Sequence, residues 1–239
     1  MDRTYDFQAG EVLLVHKPLH WTSFDVVNKL RYEMKQKLGI KKIKVGHAGT
    51  LDPLADGLLI LCTGKKTKEI ESFMGLEKNY TGTITLGATT PSYDLETEID
   101  NTFTLENITE QAIQTEVQKM IGVYAQYPPI FSAKKVKGQK AYDLARAGKE
   151  VILEPKEITI HSFDLTEIKL PLVHFDITCS KGTYIRSIAF DLGKQLNNGG
   201  HLSSLRREKI GTYDLKNAHT VTEWIDIIQA SDMNNNTSI

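Results

Sequence analysis

Two strand-like stretches, Ile158–Leu170 and Leu172–Cys179, follow one another with only Pro171 between them. In the second, Val173, Phe175, Ile177 and Cys179 alternate with His174, Asp176 and Thr178, the period-two pattern of a strand with one buried face. Adjoining strands, with helices interleaved irregularly elsewhere, fit α+β with a mixed sheet better than a doubly wound parallel fold.

The rest of the chain supplies the other elements. Glu11–Val15 reads as a short strand running into Lys17-Pro18, where proline ends the ladder. Ser23 is placed to cap a helix to about Gly39, with Phe24, Val27, Leu30, Met34 and Leu38 on its buried face. Gly57–Cys62 reads as a buried strand, Lys65–Met74 as a helix, and Tyr80–Ala88 as a strand with Tyr80, Ile84, Leu86 and Ala88 on one side. A polar, acidic loop over residues 89–108 precedes a helix from Thr109 to Ile121. Thr183 is expected to cap a helix to about Leu196, and Thr220 with Glu223 forms a capping box for a last helix. Residues 1–232 are expected to make a single domain, followed by a disordered tail over 233–239.

At 239 residues and 40% hydrophobic content the chain has the composition of a globular protein. It shows no membrane-length apolar run and no signal-peptide pattern at its start, so a cytoplasmic location with no membrane partner is expected. Cys62 and Cys179 sit in apolar, strand-like stretches and read as reduced core residues. The net charge of −1 conceals segregation: residues 29–68 hold ten Lys/Arg against three acids, whereas 79–118 hold seven acids and no Lys or Arg. Basic excess returns in 132–149 and 179–209. Such segregation is compatible with a surface that attracts phosphates.

The stretch Gly46-His47-Ala48-Gly49-Thr50-Leu51-Asp52-Pro53 carries the most specific chemistry. Its glycines let backbone approach a ligand closely, and Pro53 biases Asp52 towards an extended conformation. Beside Lys41, Lys42 and Lys44, Asp52 reads either as a nucleophile or general base facing a polyanion, or as an ordinary Asp-Pro turn. Gly64-Lys65-Lys66-Thr67 fails the phosphate-loop pattern, His16 and His20 straddle Pro18 and make a poor ligand pair, and neither a nucleophile elbow nor a dinucleotide fingerprint is present. No metal or cofactor is therefore expected. Arg186, read at the third position of its helix, stands where the dipole disfavours a cation by roughly 0.3–1 kcal/mol. It is either a solvated surface group or the partner of an anion such as Asp52. Tyr80 and Tyr184 are core aromatics or stacking platforms for a base.

These pieces together resemble the tRNA pseudouridine synthase B (TruB) family. Gly46–Pro53 resembles its aspartate signature, Lys17-Pro18 with Thr22-Ser23 its N-terminal motif, Lys78-Asn79-Tyr80 its tyrosine motif, and Gly182–Ser187 its arginine motif. Pro128-Pro129 through Ser132-Ala133-Lys134, Gly138, Tyr142 and Ala145-Arg146 is similar to its RNA-gripping insertion, about 127–150, and Leu205-Arg206-Arg207 to the segment near the target base. The resemblance runs in unbroken order from about residue 11 to 215. It implies a pseudouridine-synthase-like mixed, largely antiparallel sheet flanked by helices, with a central active-site cleft. It implies an isomerase that flips uridine 55 out of the T-loop of tRNA and converts it to pseudouridine without cofactor or metal. Asp52 would attack the ribose C1′, abstract a ribose proton or attack C6 of the base. Tyr80 would stack on the base and Arg186 would pair with Asp52. His47 would support the displaced RNA loop, with Tyr184 and Leu205 lining the uracil pocket. Lys17, Lys65, Lys134, Lys137, Arg146 and Arg206 would grip RNA phosphates.

Two departures stand out. His20 occupies a position where the family usually has glycine, and only about 25 residues follow the last motif, so no C-terminal PUA domain is expected and the T-arm should supply most contacts. A monomer acting without guide RNA is expected. The rivals are a tRNA-folding chaperone, against which an intact Asp52–Tyr80–Arg186 set argues, and a carboxylate-dependent nucleoside hydrolase. The second needs another acid, and the one nearby, Asp56, reads as a turn residue.

Overall fold

The first helix starts one residue earlier than its sequence suggests. In the computed structural model, which describes residues 4–131, 135–136, 139–140 and 153–231, Thr22 is the N-cap, its side chain accepting from the Asp25 amide while Asp25 bonds back to Thr22. That reciprocal box satisfies two orphan amides, which leaves Ser23 free to turn inward, where its Oγ accepts from the Leu51 amide at 2.8 Å. Lys134, Lys137, Arg146 and the tail expected over 233–239 lie outside the described residues.

In chain order the strands are β1 (Val12–Lys17), β2 (Val45–His47), β3 (Ala55–Thr63), β4 (Lys78–Leu86), β5 (Ala88–Thr89), β6 (Asn101–Thr102) and β7 (Gly122–Gln126). They continue with β8 (Lys135–Val136), β9 (Gln139–Lys140), β10 (Lys156–Lys169), β11 (Leu172–Cys179), β12 (Gly200–Ile210), β13 (Tyr213–Asp214) and β14 (His219–Thr220). The helices are α1 (Ser23–Leu38), α2 (Ile70–Gly75), α3 (Glu110–Met120), α4 (Ile185–Gln195) and α5 (Val221–Ala230). Pairing is largely antiparallel, the exception among the described registers being β1 with β14, and the fold is α+β as expected.

Two compact units emerge, residues 1–78 with 206–239 and residues 79–205. In the first, β1 lies between β14 and β3, β2 pairs with the far end of β3, and Arg206–Ile210 of β12 runs beside β3. Leu13 and Val15 of β1, Leu59 and Leu61 of β3, and Val26, Val27, Leu30 and Met34 of α1 share a core with Val221, Trp224 and Ile228 of α5. Phe24, expected on that face, is 58% exposed; the helix turns Val26 inward instead. Lys65–Met74 is not one helix: Gly64–Glu69 is a 3-10 segment with no buried residue, and α2 follows. A run of Lys-Lys-Thr-Lys-Glu offers no apolar stripe to hold an α-helix against a core.

In the second unit β4, β11, β10 and β7 are neighbours in that order, with α3 packed on β10 and α4. Phe163 and Phe175 meet edge to face inside it, ring centroids 5.9 Å apart. β4 stops at Leu86 because Gly87 takes φ +87, and Ala88–Thr89 pairs instead with β6, inside the stretch expected to be loop. No described helix is long and apolar enough to cross a membrane.

Candidate active site

In the first unit the loop joining β2 to β3 presents Asp52. Ala48 donates to Ile60 at 2.9 Å, Ala55 donates back to the Asp52 carbonyl at 3.1 Å, and the Leu51 amide rests on Ser23. The His20 amide donates to the Pro53 carbonyl at 2.7 Å. His20 takes φ +66, a left-handed backbone that glycine adopts most easily, which accounts physically for glycine as the usual residue there. Asp52 itself is half-buried.

Lys17 is wholly buried, and its Nζ donates to the carbonyls of Pro18 at 2.9 Å and Trp21 at 2.5 Å. This corrects its expected role: an ammonium with no exposed surface does not reach an RNA phosphate, and Lys17 instead closes the turn at 18–21. Burial pushes its pKa down to about 8, against the opposing pull of the Asp56 and Asp52 carboxylates, while Arg207 nearby lowers it further. Lys65 is exposed on the 3-10 segment, where the Gly64 amide bonds to the Lys44 carbonyl at 2.9 Å. With Lys41, Lys42, Lys44 and Lys68, all exposed, it makes a basic surface.

Asp56 lies in β3 and is not a turn residue. Its carboxylate takes three short contacts from Arg206, the closest at 2.7 Å, and faces His16 Nε2 at 3.4 Å. Burial works against its charge, but these bonds prevail and hold the carboxyl below its usual range. Arg206, expected on phosphate, is thus engaged by Asp56, with its side chain half-exposed. His47 is half-buried; its Nδ1 is sealed from solvent and makes no hydrogen bond. Burial, with the Arg207 charge, lowers the pKa of its ring.

The second unit holds Tyr80, Tyr184, Leu205 and Arg186. Tyr80 lies buried on the inward face of β4, and Leu205 is half-buried in β12. The arginine motif starts its helix later than expected. Thr183 Oγ1 donates to the Ser180 carbonyl at 2.9 Å, Tyr184 is the N-cap, and Arg186 stands at the second helical position. Tyr184 caps with its backbone alone: its amide donates to Gln126 Oε1 at 2.7 Å and its carbonyl accepts from Gln126 Nε2 at 3.0 Å. Both bonds depend on β7, a strand the sequence reading missed.

Arg186 is 6% exposed, which removes the surface alternative. Its Nη1 donates to the Ser92 carbonyl at 3.2 Å and Nη2 to the Phe131 carbonyl at 3.1 Å, and Nε lies 3.5 Å from Asp94 Oδ2. Asp94, also buried, supplies within this unit an anion of the kind the helix position calls for. Its loop is tied by Thr90 Oγ1 and Ser92 Oγ, both donating to the Asp94 carbonyl. The sequence offered one signal for it, that a buried cation in a first turn needs a carboxylate, but seven acids in 79–118 hid which one.

Residues 35–185 match the model of the TruB family pseudouridylate synthase N-terminal domain. The chain is 54% identical over 225 residues to the tRNA pseudouridine synthase B of Flavobacterium johnsoniae, covering 94% of this chain and 98% of that one. It is 53% identical over 224 residues to the Phocaeicola vulgatus protein of the same name, covering 92% and 95%. Among solved structures it resembles a chain from the crystal structure of a Cbf5-Nop10-Gar1 complex, with TM-score 0.69 and 25% identity over 92% of this chain. This chain spans about half of that solved one, 54% of its length. With its motifs in order on these elements, the chain belongs to the TruB family of pseudouridylate synthases and is an isomerase of that class.

Proposed function

We propose that the protein converts uridine 55 in the T-loop of tRNA to pseudouridine. The observation that carries this reading is the 54% identity to a tRNA pseudouridine synthase B along nearly the whole of both chains. In the proposed reaction the target nucleotide is flipped out of its stack, at a cost of a few kcal/mol. The Asp52 carboxylate attacks the ribose C1′, the N1–C1′ bond breaks, and the uracil anion turns while held. C5 then bonds to C1′ as the Asp52–C1′ bond breaks, the C5 proton leaves, and N1 takes up a proton from solvent. Tyr80 stacks on the base and helps remove that proton, Arg186 pairs with Asp52, His47 supports the displaced loop, and Tyr184 and Leu205 line the uracil pocket. The reading treats residues 1–232 as one catalytic domain. With burial disfavouring its charged form, the His47 ring suits contact with RNA base or sugar groups.

The T-arm stem-loop is the part of tRNA we propose the protein needs, gripped as a monomer and without guide RNA. The exposed Lys41, Lys42, Lys44, Lys65 and Lys68 suit phosphates, which fix register without reading sequence. The test is to incubate the protein with a tRNA transcript and with a T-arm stem-loop, then map pseudouridine by carbodiimide modification and primer extension. A single modified site at position 55 in both RNAs is expected. Modification elsewhere, or of full tRNA alone, refutes the substrate assignment.

A further inference from the structure

We infer that the tandem Arg206–Arg207 is a positioning element that braces the Asp52 loop from both sides, an inference that rests on the reading of Asp52 as nucleophile. Neighbouring residues of a strand point to opposite faces, and here the two arginines do so, Arg206 exposed and Arg207 buried. Arg207 is among the largest fully buried side chains of the protein. Its Nε donates to the Leu58 carbonyl at 2.8 Å, Nη2 to Gly49 at 3.2 Å and Nη1 to Thr50 at 3.4 Å. On the other face Arg206 holds Asp56 through both carboxylate oxygens. Gly49 and Thr50 precede Asp52 in the chain, and Asp56 and Leu58 follow it. The backbone on either side of the carboxylate is therefore tied to one dipeptide.

The arrangement is built for this contact. Gly57 takes φ +113, and a Cβ there would lie 2.4 Å from the Arg207 carbonyl oxygen and 2.6 Å from its amide nitrogen. Only glycine lets β3 and β12 approach so closely. A buried guanidinium is a costly way to fill a core, and an apolar side chain of like volume often stabilises more. What the guanidinium adds is a rigid planar fork that holds three carbonyls at once, which a lysine ammonium on a flexible stem does not reproduce. Fixing backbone within a fraction of an ångström of Asp52 is what an attacking carboxylate requires.

The test compares Arg207→Lys, Arg206→Gln and Asp52→Asn with wild type in the full chain. The readouts are affinity for a [5-³H]uridine-labelled T-arm RNA, single-turnover tritium release at saturating enzyme, and hydrogen exchange of the 46–58 segment. Arg207→Lys is expected to slow the saturated rate about 100-fold and Arg206→Gln about tenfold, with affinity within about threefold of wild type. Exchange should quicken in 46–58 while α1 and α5 keep their protection. Saturated rates within about twofold of wild type in both variants overturn the brace. So does weakened affinity at an unchanged saturated rate in Arg206→Gln, which makes Arg206 a phosphate ligand. If Arg207→Lys loosens all of the first unit, the surface variant Arg206→Gln decides alone. Asp52→Asn separates the two claims: if it turns over, the nucleophile reading fails, and if it is inert while both arginine variants are normal, only the brace fails.

Discussion

Lys17 is a buried cation whose native pKa, about 8, lies well below the 10.5 of an unconstrained lysine. Between these two values the unfolded chain binds more protons at this site than the native one, so the lysine's contribution to stability rises with pH across that window. At pH 7 both states are protonated, and the shift corresponds to a cost of about 3 kcal/mol for keeping the charge inside. At pH 9 the native amine is mostly neutral and the cost falls to about 2 kcal/mol. Lys17→Met removes the titration while leaving the Pro18 and Trp21 carbonyls without their donor, a penalty that does not vary with pH. Urea unfolding of both proteins from pH 7 to 9 therefore isolates the lysine. Wild type should gain about 1 kcal/mol on Lys17→Met over this range. A difference that stays constant, or one that moves against wild type, refutes the claim that burial dominates the electrostatics of this lysine.

Three further outcomes follow from the geometry. Arg186→Lys cannot supply the three directions taken by Ser92, Phe131 and Asp94, and should slow single-turnover isomerisation by about 100-fold or more and lower the melting temperature. Trp224→Ala should cost about 3–5 kcal/mol in denaturant unfolding, because the ring is buried against Tyr5 and its Nε1 bonds to the Leu14 carbonyl; Trp224→Phe should cost clearly less. Replacing Lys41, Lys42 and Lys44 together by glutamine should flatten the dependence of log affinity on log salt by about 0.7–0.9 for each phosphate no longer neutralised, measured by filter binding.

Much of the fold was legible because its elements carry clean periodicity. Val173, Phe175, Ile177 and Cys179 are all buried on one face of β11, as their alternation implied. The Thr220–Glu223 box opens α5, and Thr109 caps α3. β12 was not legible, because His201 and Arg207 are buried polar residues whose burial no hydropathy pattern reports. β7 escaped for the opposite reason, since its Val123 is 72% exposed. In the first unit the motif located Asp52, but not what holds its loop: Arg207 bonds to Leu58 and Arg206 to Asp56, each across about 150 residues of chain. Lys17 shows the same limit, because a lysine among basic runs reads as a phosphate ligand until its burial is known.

If Asp52 carries the chemistry on a uridine in the T-loop, no isomerisation occurs without its carboxylate. The most direct measurement is tritium release from a [5-³H]uridine-labelled T-arm RNA by wild type and Asp52→Asn, each at enzyme concentrations above its measured dissociation constant. Wild type should release tritium stoichiometrically and Asp52→Asn none above background, with RNA affinity within about threefold. Release by Asp52→Asn at the wild-type rate would contradict the assignment.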